Sequence, residues 1–277
     1  YENNVNNNWY TNYIAKWCID YTLEIDKDST YGSSLISNEE FENWSNLSEK
    51  ISLEKIKNTN IWIQQDGFLD KEMSSVDDLK SIERPINQNW SWDRILRSVY
   101  IKQADVLQGI YLFEDDFSLD EIQDNFDFYE PKTVHESSLS PCIHVILACL
   151  LRYDQKAYEL YLRSSRLDLD DYNKEVSEGL HITSMAGTWL SVIEGFAGLR
   201  ITEKGLRLNP RIPDKWSSIS FKIRYHAYVL EFYIDKYEVR IKKNGGDNLI
   251  INVNGKRVEL KEENESIISL IGSKRNP

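Results

Sequence analysis

Apolar residues recur with helical spacing through most of the first two thirds of the chain. Trp9, Tyr10, Tyr13, Ile14, Trp17, Cys18 and Tyr21 follow one another at spacings of one and four, which makes an apolar stripe on one helix face. Ser37-Asn38-Glu39-Glu40 then predicts a second helix running to about Ile56, with carboxylates in its first turn where the helix dipole favours them. Residues 62–101 break the pattern. They hold Gly67, Pro85 and mixed polar and aromatic residues, and read as long loops with short elements, of the kind that usually carries function in a compact domain. Helical spacing returns over residues 104–113 and 119–126. Ser140-Pro141 reads as a helix start, with Ser as N-cap and Pro at the first helical position, and that helix should reach about Arg152. Asp154 is the expected cap of the next one, to about Ser165, and residues 182–196 form the last long helix, closed near Gly195 or Gly198.

After Leu199 the period changes to two. Residues 218–225, 228–234, 239–241, 249–253 and 256–260 alternate as short strands, and Asn244-Gly245-Gly246-Asp247 and Asn254-Gly255 read as hairpin turns. The fold class is therefore mainly α, with a helical domain over residues 1–198 and a small antiparallel all-β domain over 199–277.

The 277 residues carry a formal net charge of -12. An acidic chain without a basic stripe makes nucleic acid an unlikely partner. No apolar run reaches the roughly 18 residues needed to span a bilayer, and the first residues show no signal-peptide pattern, so a membrane is not expected. Cys18, Cys142 and Cys149 form no metal-type pair and read as reduced thiols, which points to a cytoplasmic setting. No metal or organic cofactor is expected, since the chain has no P-loop, no dinucleotide fingerprint and no His-Glu-x-x-His.

The densest polar block is Tyr129-Glu130-Pro131-Lys132-Thr133-Val134-His135-Glu136-Ser137-Ser138-Leu139-Ser140-Pro141. It is a loop that ends on a helix N-terminus, where hydroxyls, free N–H groups, the helix dipole and a His suit an anion. Read plainly, it is a capping segment with a core His. His181-Ile182-Thr183-Ser184-Met185-Ala186-Gly187-Thr188-Trp189 is a second candidate, whose small residues admit a ligand close to the backbone or, equally, a neighbouring helix. Lys102 and Gln103 stand side by side between an aromatic loop and a helix and can donate to sugar hydroxyls, or else are solvated. The 8 Trp and 16 Tyr residues suit either stacking on sugars or an aromatic core. Asp66, Asp70, Asp168, Asp170 and Asp171 gather carboxylates that could serve glycoside chemistry but usually form caps and turns.

Several of these stretches together resemble the second half of glycoside hydrolase family 65, which includes phosphorylases of maltose, trehalose, kojibiose and nigerose. The matching residues are 1–12, Asp66-Gly67-Phe68, Tyr100-Ile101-Lys102-Gln103-Ala104-Asp105-Val106, the block 129–141, residues 158–171 and residues 181–189. They cover nearly the whole chain in order. The likeness is nearest to the maltose-acting members in Asn89-Trp90-Ser91-Trp92-Asp93-Arg94-Ile95-Leu96-Arg97-Ser98. The resemblance implies the second half of an (α/α)6 barrel followed by a small β domain. It implies inverting phosphorolysis of a disaccharide, with inorganic phosphate as co-substrate and no cofactor, in an enzyme expected to be a homodimer. It gives Lys102 and Gln103 the glucose, and His135, Ser137, Ser138 and the backbone near Gly187 the phosphate.

In the family the general acid is a Glu directly before the Tyr that aligns with Tyr1. Glu2 stands one position late, so no catalytic acid is expected within the chain, which reads as a fragment inactive by itself. The readings left open are another disaccharide of the same family, as trehalose, kojibiose or nigerose, and a non-catalytic carbohydrate-binding remnant.

Overall fold

The structure is a computed structural model that describes residues 1, 4–27, 36–261 and 265–270. The chain packs as two compact units, Tyr1–Ser140 and Pro141–Pro277, so the division falls where the Ser140-Pro141 helix begins.

The first unit is built around aromatic rings. Helix α1 (Trp9–Lys27) packs on α2 (Asn38–Lys50) and on α5 (Val106–Leu112), and α5 packs on α6 (Leu119–Tyr129). Trp9 is buried, with Tyr13, Trp62 and Phe117 at ring separations of 4.9, 5.6 and 6.1 Å. Gly109 of α5 makes this approach possible, because a Cβ there would stand 2.6 Å from the Trp9 ring. The predicted stripe is buried only at its start, since Trp17, Cys18 and Tyr21 are exposed.

The second helix opens at Ser37-Asn38, where the sequence predicts it. Ser37 Oγ accepts from Glu40 N at 3.2 Å while Glu40 Oε2 accepts from Ser37 N at 2.9 Å, a complete capping box. Ser118 caps α6 by its side chain, accepting from Glu121 N at 3.2 Å. Helix α2 stops at Lys50 rather than near Ile56, because the next residues pair with another stretch of backbone. Ile56 N donates to Ile61 O and Ile63 N to Glu54 O, each at 2.8 Å, and a tertiary pairing outweighs the helical periodicity. Residues 62–101 hold only 3₁₀ turns and the short helices α3 (Ile86–Asn89) and α4 (Trp92–Arg97). Ile86, Ile95, Tyr100 and Val134 form a second small core here, with Tyr1 and Trp90 packed against it.

The second unit opens with α7 (Ser140–Leu150), followed by α8 (Asp154–Ser165), α9 (Leu167–Asp170) and α10 (Ile182–Leu190). Asp154 is not the cap of α8. Tyr153 occupies that position, and the Asp154 carboxylate instead takes the Arg211 guanidinium in two bonds of 2.6 and 2.7 Å. Helix α10 continues into a π-helical turn over Ser191–Phe196 and ends at Gly198, whose φ is +63°.

Two four-stranded sheets follow and share one core. The first orders β1 (Leu199–Thr202), β2 (Gly205–Leu208), β6 (Leu249–Val253) and β7 (Lys256–Leu260). The second orders β3 (Ser218–Tyr225), β4 (Tyr228–Asp235), β5 (Glu238–Asn244) and β8 (Glu265–Ser269). Leu206, Leu208, Ile251 and Val253 from the first meet Leu230, Phe232, Ile234, Val239 and Ile241 from the second in one buried cluster, as in a sandwich. The pairing is antiparallel except between β2 and β6, which run parallel.

Asn254-Gly255 makes the predicted hairpin, with both residues at positive φ as a type I′ turn needs. Residues 244–247 do not. They carry the chain from β5 in one sheet to β6 in the other. Lys243, on the inward face of β5, buries its stem and donates from Nζ to Gly245 O at 2.8 Å and Gly246 O at 3.0 Å, which fixes that crossing.

Gly198 gives a direct test of how the helix-to-sheet passage is held. A Cβ there would lie 2.2 Å from Asn209 O and would sit in left-handed backbone. Gly198→Ala is therefore expected to destabilise the chain by about 2 kcal/mol or more, read as a lower midpoint in urea with an unchanged slope.

Candidate active site

Two of the polar segments singled out in the sequence, those at Lys102 and at 129–141, are joined by backbone pairing. Ile101 N donates to Lys132 O and Val134 N donates to Ile101 O, both at 2.9 Å, a short parallel bridge between residues far apart in the chain. On one side the chain continues into Lys102 and Gln103, and on the other into His135, Glu136 and Ser137. Gln103 Oε1 accepts from Ser137 Oγ at 2.8 Å. One glucose-assigned side chain thus meets one phosphate-assigned side chain.

The block 129–141 is anchored at its start. The Tyr129 hydroxyl is buried and donates to Trp62 O, and burial drives its pKa far up. Thr133 Oγ1 donates to Tyr129 O at 2.8 Å. Lys132 Nζ donates to Phe128 O at 2.6 Å and lies 3.8 Å from the centroid of the Phe128 ring, and partial burial lowers its pKa.

His135 is buried in left-handed backbone with φ +55°, a conformation that His adopts more readily than most side chains. Its Nδ1 lies 2.8 Å from Ser140 Oγ at the start of α7. Ser140 therefore binds the His ring, a use the capping reading did not foresee. Ser137 and Ser138 are half-buried in the turn that follows, where Ser137 Oγ also accepts from Leu139 N at 3.2 Å. Hydroxyls, a His ring and turn N–H groups gathered ahead of a helix start form a donor set suited to an anion.

Gly187 belongs to the second unit, in the interior of α10. A Cβ there would stand 2.9 Å from Cys142 Cβ and 3.0 Å from its Sγ, so the glycine serves the close packing of α10 on α7. Its carbonyl accepts from Ser191 Oγ at 2.8 Å. At the head of the same helix the His181 ring lies between Asp168, at 2.5 Å from Nδ1, and Glu175, at 3.7 Å from Nε2. Asp168 also accepts from His181 N at 2.9 Å, and these bonds hold its carboxyl below the usual range. Asp170 forms a two-bond pair with Arg166, and Asp66 accepts from Asn7. The acidic runs are thus caps and ion pairs. Among the described residues no group of three His, Cys, Asp or Glu could hold a metal ion, and no helix is long and apolar enough to cross a membrane. Glu2, read as misplaced for a general acid, lies outside the described residues.

Two carboxylates in the first unit carry no role in the sequence reading, although both sit inside its quoted motifs. Asp105, two residues beyond Gln103, accepts from Asn8 Nδ2 at 3.1 and 3.2 Å. Burial pushes its pKa up to about 6, against the opposing effect of the Asn8 bonds. Glu136 is buried between His135 and Ser137. Its Oε1 accepts from Ile86 N at 2.8 Å and its Oε2 from the Tyr1 hydroxyl. The signal for both was the presence of a carboxylate within a run of hydrogen-bond donors.

Comparison with known proteins gives the family. The model of the glycosyl hydrolase family 65 central catalytic domain matches residues 1–190, and that of the family 65 C-terminal domain matches residues 199–260. The chain belongs to glycosyl hydrolase family 65.

It is 48% identical over 256 residues to maltose phosphorylase of Bacillus subtilis (strain 168), covering 91% of this chain and 34% of that protein. It is 36% identical over 268 residues to alpha,alpha-trehalose phosphorylase of Thermoanaerobacter brockii, covering 93% and 35%. A solved chain from the human microbiome, provisionally described as a kojibiose phosphorylase, superposes with a TM-score of 0.88 at 38% identity, over 96% of this chain and 36% of that one. The chain spans about a third of the length of the curated relatives it matches.

Asp105 sets a pH dependence of stability. Its folded pKa, about 6, lies above the ordinary 3.8. The stability it contributes is fully present below pH 3.8 and is lost as pH rises through 6. Asp105→Asn removes that loss while leaving one acceptor for Asn8. The variant should melt above the parent at pH 7.5, and the gain should vanish by about pH 4 in thermal scans across that range.

Proposed function

We propose that the polypeptide containing this chain phosphorolyses maltose with inversion, giving β-glucose 1-phosphate and glucose. The observation that carries the reading is the contact between Ser137 and Gln103, which sets a phosphate-type loop against a sugar-type donor pair. The 48% identity to a maltose phosphorylase supports the choice of maltose over trehalose, kojibiose and nigerose.

In this mechanism Lys102 and Gln103 hold the hydroxyls of the glucose whose bond is cleaved. His135, Ser137 and Ser138 hold phosphate on the opposite side of the anomeric carbon from the leaving group. A phosphate oxygen attacks that carbon while a carboxylic acid protonates the glycosidic oxygen, so the C–O bond breaks with inversion of the α-configuration to β. Phosphate is already an anionic nucleophile, and no general base is needed. The acid is the Glu that the family resemblance places directly before Tyr1. A cytoplasmic homodimer is the setting in which we place the enzyme, in keeping with its three free cysteines.

The test is product analysis on the complete polypeptide. Maltose with inorganic phosphate should give β-glucose 1-phosphate and one equivalent of glucose, with little turnover of trehalose, kojibiose or nigerose. Equal cleavage of maltose in phosphate-free buffer contradicts the phosphorylase reading. His135→Ala and Ser137→Ala should raise the KM for phosphate by about tenfold or more, the loss expected when one hydrogen bond to a charged group goes.

A further inference from the structure

The phosphate-assigned loop contains a buried carboxylate that the proposed reaction does not use. Glu136 stands between His135 and Ser137, and its side chain is 2% exposed. A carboxylate beside an anion site opposes the anion, and a buried charge costs heavily unless hydrogen bonds compensate it. The bonds that compensate Glu136 come from two other segments of the first unit. Ile86 N donates to Oε1 at 2.8 Å, and the Tyr1 hydroxyl donates to Oε2. Tyr1 packs against the apolar cluster of Ile86, Ile95, Tyr100 and Val134. Lys102 Nζ lies 5.8 Å from the centroid of the Tyr1 ring, within reach of a cation–π attraction. A run of contacts thus leads from Glu136 through Tyr1 to Lys102.

We propose that Glu136 is a positioning residue that holds Tyr1, and through it Lys102, in register with the phosphate loop. The proposal rests on the phosphorylase reading above. Its backbone belongs to the loop assigned to the nucleophile, and its carboxylate grips the residue that, in the family pattern, directly follows the acid. Nucleophile and acid act on opposite faces of one anomeric carbon, so their separation must be kept. A misplacement of about 1 Å in such a geometry costs on the order of 100-fold in rate. Both carboxylate oxygens of Glu136 are engaged, one by Ile86 N–H and one by the Tyr1 phenol.

The experiment uses the complete polypeptide, with kcat and the KM for phosphate measured for Glu136→Ala, Tyr1→Phe, the double variant and Glu136→Gln. Glu136→Ala and Tyr1→Phe should each lower kcat, the former by roughly 30-fold or more, with the KM for phosphate held within about threefold. The double variant should be no slower than Glu136→Ala, since both changes break the same contact. Glu136→Gln should recover most of kcat, its carbonyl accepting from Ile86 N–H and its amide donating to the phenol oxygen.

A rise in the KM for phosphate at unchanged kcat would place Glu136 in contact with phosphate and overturn the proposal. So would multiplying losses in the double variant, or a Gln variant as slow as Ala. If Glu136→Ala fails to fold, Tyr1→Phe with parental kcat overturns it as well. Turnover of the parent in phosphate-free buffer would sink the phosphorylase reading separately, and the kcat comparison would still report on Glu136 with water as nucleophile.

Discussion

The site depends on two backbone hydrogen bonds. Ile101 exchanges bonds with Lys132 and Val134, and this short parallel pairing fixes where every later residue of both segments can fall. Lys102 and Gln103 leave the pairing on one side, and His135, Glu136 and Ser137 on the other. Backbone bonds of this kind, buried and made within an apolar surround, hold position better than contacts between long side chains. The surround is present here, since Val134 and Tyr100 are buried in the core that Ile86 and Ile95 complete.

The pairing also explains why polar groups gather in a place that burial would otherwise disfavour. His135, Glu136 and Ser140 are buried, and each has a hydrogen-bond partner within the first unit. Such a network is rigid when satisfied and costly when broken. It therefore suits a site that must hold an anion and a sugar at a set separation. The high pKa of Asp105, two residues past Gln103, belongs to the same trade, because a carboxyl brought into this surround to hold Asn8 gives up part of its ionisation.

Local features were the legible ones. The helix start at Ser37-Asn38-Glu39-Glu40, the strands Ser218–Tyr225, Leu249–Val253 and Lys256–Leu260, and the Asn254-Gly255 hairpin stand where the sequence pattern predicts them. What escaped was set by backbone pairing that a helical or strand period does not show. Helix α2 ends early because residues 54–63 pair with one another, the turn at 244–247 crosses between sheets, and β2 meets β6 in parallel. The site shows the same limit. The motifs marked the residues, but the meeting of Gln103 with Ser137 spans 34 positions and that of Tyr1 with Glu136 spans 135. No local period carries such information. Family resemblance supplied roles for the donors, yet it left Glu136 and Asp105 without one, since a buried carboxylate shows its purpose only through its partners.

The central claim is that the sugar-type and phosphate-type groups act as one unit because of how the two segments meet. A double-mutant cycle between Gln103 and Ser137, read on kcat/KM of the complete polypeptide with maltose and phosphate, measures this directly. Coupling of about 1 kcal/mol or more between Gln103→Ala and Ser137→Ala is the predicted result, and strictly additive losses would contradict it.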